Sequence, residues 1–99
     1  MHTESRADTL HVTGVTELTA GSAREVKDQV RLRLTDGLDN IDFDASVLEF
    51  LDSSGLGALI SMQKLAQERG GKLRLLSPTP PATQVLELTR LHRVFEIVS

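Results

Sequence analysis

Apolar residues recur along the chain with two different periods, which separate β-rich segments from helical ones. Residues 9–15 are rich in β-branched side chains and place Leu10 and Val12 on one face, as in a strand with one buried side. Further short apolar runs predict strands over 38–43, 47–51, 72–77 and 94–98. The pattern therefore indicates a small sheet.

Three other segments repeat their apolar residues at the three- and four-residue spacing of an amphipathic helix. In the first, Ser22 and Glu25 have the spacing of a capping box at a helix start, and Gly37 suits the C-terminal cap. The second helix is predicted from Ser54 to the pair Gly70 and Gly71, and the third over 82–89.

The helix that begins near Ser54 carries an apolar stripe wider than one buried side requires. Two interpretations are open. Either part of the stripe contacts a partner, or the helix is buried on one side with Ala58 and Met62 as ordinary core residues. The second arrangement is the commoner one, because most apolar side chains lie in the core.

Helices that alternate with strands favour right-handed connections between parallel strands. The expected fold class is α/β: a mixed or partly parallel sheet of about four to five strands, with about three helices packed on it. A chain of 99 residues with 39% apolar side chains can fill one hydrophobic core, so we expect residues 1–99 to form a single domain.

Composition excludes several classes of function. The absence of cysteine excludes disulfides, thiolate metal sites and a cysteine nucleophile. A total of 11 Lys and Arg against 14 Asp and Glu does not supply the basic surface that nucleic acid requires, so no direct nucleic-acid partner is expected. Neither a run of about 18 apolar residues nor a signal-like apolar core near Met1 is present, so we expect no membrane insertion and a cytoplasmic location.

Metal and cofactor chemistry is not indicated by the sequence. The three histidines are far apart and have no Glu or Cys at ligand spacing. Asp39, Asp42 and Asp44 lack the glycine and the terminal Glu of a calcium loop, so we interpret them as solvated acids. We expect no cofactor, no metal and no catalytic residue.

The most informative stretch lies where an apolar run meets the start of the second helix. Asp52, Ser53 and Ser54 are all good helix caps, and Gly55 and Gly57 leave that turn open to approach. A helix start offers free amides and tolerates an anion. Two interpretations compete: a capped helix whose glycines permit tight packing, or a phosphoacceptor serine. The pattern itself does not say which serine.

Four stretches of the chain resemble the STAS domain, the module shared by bacterial anti-sigma factor antagonists and the tails of sulfate transporters. The family's signature is similar to Asp52-Ser53-Ser54-Gly55-Leu56-Gly57, and its glycine turn before a strand is similar to Gly70-Gly71-Lys72-Leu73. The resemblance continues through Leu88-Thr89-Arg90-Leu91 and Val94-Phe95. It covers roughly residues 9–98.

The resemblance implies a function controlled by phosphorylation. In the antagonists of this family the serine after the motif aspartate is phosphorylated by the partner, which is both anti-sigma factor and serine kinase. That serine corresponds to Ser53. The unphosphorylated chain would bind the anti-sigma factor, phosphorylation would break the complex, and a serine phosphatase would restore it. The chain would then not be an enzyme, and Ser54 would act mainly as a helix cap.

The family's pattern also implies a partner surface formed by the motif and a neighbouring loop. The motif residues, from Asp52 to Gly57, are expected to bind the partner. The loop is expected before the first helix, where the family has Gly-x-Leu-Asp and this chain has Thr16-Glu17-Leu18-Thr19. Thr19 replaces the family's aspartate, which puts partner recognition in doubt.

Charge is distributed unevenly along the chain. No basic residue lies between Arg33 and Lys64, whereas six acids do: Asp36, Asp39, Asp42, Asp44, Glu49 and Asp52. The segment indicates either that a partner touching the motif is locally basic or that these acids form a solvated rim on loops.

Two alternative functions remain open at this point. One is a constitutive STAS-like adaptor, a subunit of a transporter or signalling complex that is never phosphorylated. The other is a small-ligand or nucleotide sensor that uses the glycine-flanked helix start as an anion site.

Overall fold

The chain folds into one five-stranded sheet, a short two-stranded sheet and three α-helices. The computed structural model describes residues 1–99. Along the chain the elements are β1 (His2–Arg6), β2 (Thr9–Thr13), β3 (Glu17–Leu18), α1 (Ala23–Arg33), β4 (Asn40–Asp44), β5 (Phe50–Leu51), α2 (Ser53–Glu68), β6 (Leu73–Leu76), α3 (Pro80–Leu88), a 3₁₀ turn (Leu91–Arg93) and β7 (Glu96–Val98). The large sheet has the order β1-β2-β4-β6-β7, and β3 pairs with β5.

The large sheet is mixed, as predicted. The β1–β2 hairpin is antiparallel, and every other pairing in the sheet is parallel. Helix α2 packs on β4 and β6, and α1 packs on α2. The α/β fold class with three helices is therefore confirmed, while the first strand of the hairpin is not predicted by the sequence pattern.

The core lies between this sheet and the helices. Parallel pairing aligns apolar residues of three strands into two buried rows, and strand periodicity turns both rows toward the same face. One row holds Leu10, Ile41 and Leu73, and the next holds Val12, Phe43 and Leu75. The predicted burial of Leu10 and Val12 on one face is confirmed.

Helix α2 is the longest helix, with 16 residues. Ala58 and Met62 are both buried, which confirms that its stripe is mainly core. It ends where the sequence predicts: Gly70 has φ +79°, and a Cβ on Gly71 would lie 1.9 Å from the carbonyl oxygen of Asp39. No helix in the structure combines the length and apolar character needed to cross a bilayer.

The predicted capping box of α1 is wrong. Ser22 occupies the N-cap position, but its side chain makes no cap hydrogen bond. Its Oγ instead accepts from the backbone N–H of Thr19 at 3.0 Å and donates to the carbonyl of Glu17 at 3.0 Å. The hydroxyl therefore stabilises the preceding turn. These hydrogen bonds replace the cap hydrogen bond, and the Ser22–Glu25 spacing alone does not predict them.

The predicted C-terminal cap of α1 at Gly37 is also wrong. The helix ends at Arg33, and Gly37 lies beyond it in the loop with φ +89°. The free carbonyls at this end are bound by a distant side chain: Arg69 Nη2 donates to the carbonyl of Leu34 at 2.7 Å, and its Nη1 donates to two further carbonyls of the loop. A guanidinium from the end of α2 thus replaces the local glycine cap.

The remaining elements differ from prediction mainly at their ends. The apolar run 47–51 contains only the two-residue strand β5. Helix α3 begins at Pro80 rather than at Ala82, because Thr79 caps it by accepting from the Ala82 N–H, and proline is well suited to a first helical turn.

The other face of the large sheet carries a row of polar side chains. Strand pairing aligns Glu4, His11, Asp42, Arg74 and Glu96 across all five strands. Asp42 is 4% exposed, and its two carboxylate oxygens accept from Nε and Nη2 of Arg74 at 2.8 and 2.7 Å. These hydrogen bonds hold the pKa of Asp42 below its usual value. The prediction that Asp42 is a solvated acid is therefore wrong.

Candidate functional site

The start of α2 is fixed by a single carboxylate. Asp52 is the N-cap residue, and its Oδ1 accepts from the N–H of Gly55 at 3.0 Å. Its Oδ2 accepts from the N–H of Ala20 at 3.0 Å, in the loop before α1. These two hydrogen bonds lower the pKa of Asp52, and the bond from Gly55 has the larger effect. The carboxylate is therefore ionised at neutral pH.

Ser53 and Ser54 are the first two residues of α2, and both are exposed. The fold uses neither hydroxyl for a hydrogen bond, since the N-cap hydrogen bond is made by Asp52. The expectation that Ser54 is the helix cap is therefore wrong. Both hydroxyls are accessible at a helix start, where the backbone favours negative charge.

The two motif glycines have different roles. A Cβ on Gly55 would lie 1.9 Å from the carbonyl oxygen of Leu18, so only glycine allows α2 to rest on the backbone of β3. A Cβ on Gly57 would meet no atom within 4 Å, and this glycine is exposed. The fold therefore requires glycine at the first position and leaves the second open.

Motif residues expected to bind a partner divide between the surface and the core. Gly55 and Leu56 are buried, Asp52 is partly exposed, and Ser53, Ser54 and Gly57 are exposed. Only the last four present atoms to a partner. Gly55 and Leu56 hold the helix against the core.

The loop before α1 lies beside the motif. Thr19 precedes Ala20, whose N–H binds Asp52, so the loop and the helix start are joined by hydrogen bonding. The Thr19 Oγ1 donates to Glu17 Oε1 at 2.9 Å rather than to the motif. The structure thus places Thr19 next to the site, with its hydroxyl directed along its own loop.

Two exposed apolar side chains, which sequence reasoning missed, lie in the segment just before the motif. Strand β5 pairs with β3, so that Phe50 lies opposite Glu17. Phe50 is 61% exposed and Val47 is 43% exposed, although both belong to an apolar run that the sequence predicts as a strand. Exposed large apolar residues beside a functional segment are typical of protein interfaces.

A groove between α1 and α2 opens on the other side of the helix start. Its volume is about 580 Å³, and three alanines form part of its lining. The polar side chains that line it are Arg24, Lys27, Ser54 and Ser61, with Gly57 between the serines. Two cations and no acid therefore lie beside the motif, a feature that sequence reasoning missed because the two helices are distant along the chain.

The six acids of the basic-free segment do not form one surface. Asp36 and Asp39 precede β4, whereas Asp44 is its last residue and Glu49 follows it. A five-residue strand spans about 15 Å, so these pairs lie at opposite edges of the sheet. Asp42 is buried and paired with Arg74 in the sheet, so it belongs neither to a solvated rim on loops nor to a surface that attracts a basic partner.

The whole chain matches the sequence model of a known family. The sequence model of the family described as "Mlab, STAS domain" matches residues 1–99. The chain belongs to the STAS domain family. Its α/β fold with a mixed sheet is that of a STAS domain.

Individual relatives give the same result. The anti-sigma F factor antagonist of Paenibacillus polymyxa is 28% identical over an alignment of 75 residues, which covers 71% of this chain and 64% of that protein. The match therefore spans less than two thirds of that relative. A proposed anti-sigma factor antagonist from Thermotoga maritima, solved by crystallography, is 27% identical with a TM-score of 0.87, covering 99% of this chain and 85% of that one.

The fold is also that of the anti-sigma factor antagonist SpoIIAA. Its unphosphorylated form has a TM-score of 0.81 at 20% identity, covering 99% of this chain and 87% of that one. The phosphorylated form of SpoIIAA from Bacillus has a TM-score of 0.69 at 18% identity, covering 99% and 90%.

Proposed function

We propose that this chain is an anti-sigma factor antagonist and that Ser53 is its phosphoacceptor. The observation that carries the proposal is the geometry of the helix start. Ser53 and Ser54 are both exposed, and neither hydroxyl takes part in a hydrogen bond of the fold. Ser53 is chosen because it follows directly on Asp52, whose carboxylate is fixed by two backbone amides, and because the resemblance to the STAS signature assigns the phosphate to the serine at that position. A kinase can therefore reach the hydroxyl without unfolding the domain.

The relatives support this proposal. The antagonist from Paenibacillus polymyxa and the Thermotoga maritima protein are similar over most of this chain, and SpoIIAA, which shares the fold, has been solved in a phosphorylated form. In this scheme the chain is the substrate of a serine kinase and of a serine phosphatase rather than an enzyme.

Phosphorylation would act on the interface through charge. A phosphate adds about −1.5 to −2 charges to Ser53, next to the ionised Asp52. A partner that binds the unmodified surface closely would then have to desolvate two adjacent anions. A penalty of about 3 kcal/mol weakens binding roughly a hundredfold, which is sufficient for a switch.

The fold itself tolerates the same phosphate. The first amides of a helix have no intrahelical partner, and the helix dipole favours an anion at this end. Because α2 is also held by Asp52 and by the Gly55 contact, the modification changes what the surface binds while the domain stays folded.

The proposal is tested by affinity capture from the native cell with four baits: wild type, Ser53→Ala, Ser53→Asp and the control Ser5→Asp, which adds the same charge at an exposed serine of β1. We expect wild type, Ser53→Ala and Ser5→Asp to recover an anti-sigma factor with kinase activity, and Ser53→Asp to recover at least about tenfold less. Phosphate should map to Ser53 in the recovered wild type.

Two results would contradict the proposal. Equal recovery by Ser53→Ala and Ser53→Asp would remove the switch. Recovery of one transporter or signalling complex by all four baits, with no phosphate on Ser53, would replace the antagonist by the constitutive adaptor.

A further inference from the structure

The groove between α1 and α2 combines features that the fold does not require. Arg24 and Lys27 line it from α1, three residues apart and hence on one helix face. The four ion pairs of the structure involve other residues, and neither side chain donates a hydrogen bond within the fold. Two cations are thus directed along an open groove without a partner in the chain.

The opposite wall of the groove is open for close approach. Gly57 leaves free space in which a Cβ would meet no atom within 4 Å. Glycine in a helix interior costs about 1 kcal/mol relative to alanine, and the fold gains no packing from it here. Ser54 and Ser61 add two hydroxyls on this wall, and the alanines leave the groove apolar between the polar groups.

We propose that this groove receives an acidic segment of the protein partner, with Asp or Glu carboxylates held by Arg24 and Lys27. The inference rests on the proposed function, and it adds the groove to the surface that contacts the partner at the start of α2. Charge complementarity selects carboxylates, because the charged side chains lining the groove are both cationic. A groove of about 580 Å³ with alanines in its lining fits a peptide segment better than a single small anion.

The location makes the groove part of the same surface as the phosphorylation site. Ser54 lines the groove and follows Ser53 directly. The surface around Ser53 is therefore continuous with the groove, and one partner can contact both. Such a partner would place apolar side chains on Phe50 and acids on Arg24 and Lys27, whereas one of the two interpretations of the sequence has a locally basic partner.

The test uses the full-length chain and amide-resolved NMR titration. The probe is a capped Glu-Ala-Glu-Ala peptide, and its Gln-Ala-Gln-Ala counterpart is the neutral control. We expect the acidic peptide to shift the amides of Gly57 and Ser61 in a saturable manner, and the neutral peptide to leave them unchanged. The double variant Arg24→Gln/Lys27→Gln should weaken binding about three- to tenfold.

A matched control removes the same charge elsewhere on the same two helices. Arg31→Gln/Lys64→Gln neutralises exposed cations of α1 and α2 that do not line the groove, and it should leave the peptide affinity unchanged. Gly57→Gln, whose side chain enters free space, should block the peptide while keeping both cations.

Three outcomes would overturn the proposal. The first is an equal loss of affinity in both double variants, which would mean nonspecific attraction. The second is an affinity for the acidic peptide that is the same in Arg24→Gln/Lys27→Gln as in wild type. The third outcome concerns a separate titration with inorganic phosphate. If phosphate shifts the amides of Gly57 and Ser61 and the acidic peptide does not, the groove is a small-anion site.

The outcome is independent of the switch. Every titration keeps Ser53 unmodified and contains no anti-sigma factor, so failure of the phosphorylation proposal leaves the peptide result intact. Once a partner is captured, an Arg24→Glu/Lys27→Glu bait should recover less of it, and recovery at the wild-type level would exclude the groove from that interface.

Discussion

Gly55 lies so close to Leu18 that no side chain fits between them: a Cβ would stand 1.9 Å from the Leu18 carbonyl oxygen. This contact joins the first turn of α2 to β3, and through β3 to β5. The orientation of Ser53 is therefore set by backbone packing that involves three elements. The contact also separates the structural part of the motif from its accessible part.

Alanine at the two motif glycines should have opposite effects on stability. Gly55→Ala should lower the free energy of unfolding by at least about 2 kcal/mol, because its Cβ collides with backbone that cannot move freely. Gly57→Ala should raise it by up to about 1 kcal/mol, because alanine favours the helix and meets no atom. Urea unfolding of both variants measures the difference, and changes of the same sign would contradict this account of the motif.

The carboxylate of Asp52 should control two amides in different segments. Asp52→Ala should increase the hydrogen-exchange rates of the Gly55 and Ala20 amides together, because both lose their acceptor. Ser46, whose N–H binds Asp44 Oδ1, serves as an internal reference that should not change. If the Ala20 amide stays protected in Asp52→Ala, the hydrogen bond between the loop and α2 does not hold the site together.

The Asp42–Arg74 pair should make stability depend on pH in the acid range. Because the pKa of Asp42 is lowered in the folded state, its contribution is present above the unfolded pKa of about 4 and is lost as pH falls through the lower folded value. Asp42→Asn should cost about 1–3 kcal/mol at pH 7, and the difference from wild type should shrink toward pH 3.

Urea titrations of wild type and Asp42→Asn at pH 7, 5 and 3 measure this dependence. Asp36→Asn, which removes an exposed carboxylate of the loop before β4, provides the control. Curves for wild type and Asp42→Asn that remain parallel over this range would show that the ion pair contributes no pH-dependent stability.

Negative charge at the start of α2 should leave the fold intact. Ser53→Asp and Ser54→Asp should each change the free energy of unfolding by no more than about 1 kcal/mol, because the helix dipole favours an acid in the first turn. Thermal unfolding of both variants provides the necessary companion to the capture experiment. A large loss of stability in Ser53→Asp alone would attribute its loss of partner to unfolding.

The exposed ring of Phe50 should contribute to partner binding and little to stability. Phe50→Ala should change the free energy of unfolding by less than about 0.5 kcal/mol, since the side chain is 61% exposed. It should reduce recovery of the partner at least about tenfold, as aromatic residues at interface centres do. Leu32→Ala removes an apolar side chain with 71% exposure near the end of α1 and should leave recovery unchanged. Equal recovery by wild type and Phe50→Ala would place the interface elsewhere.

Local patterns in the sequence predict most of the fold. The strand faces of Leu10 and Val12 and the burial of Met62 follow from periodicity, because each depends on residues within a few positions of one another. The glycines that end α2 also act locally, through backbone geometry.

The features that sequence reasoning missed depend on distant partners. The helix caps of α1 differ from prediction because Ser22 bonds within its own turn and Arg69, at the end of α2, reaches the carbonyl of Leu34. Asp42 was interpreted as solvated because its pairing with Arg74 exists only after two strands align. The groove cannot be predicted from the sequence for the same reason: its two cations lie on α1, whereas Gly57 lies on α2.

The row of polar side chains makes the uncovered face of the large sheet unsuitable for apolar contacts. An apolar face of this size would stack on a second copy, whereas here such stacking would strip water from Glu4, Glu96 and the Asp42–Arg74 pair. Self-association through the sheet is therefore disfavoured. Apolar contact with another protein is left to exposed side chains away from this row, Phe50 near the start of α2 among them.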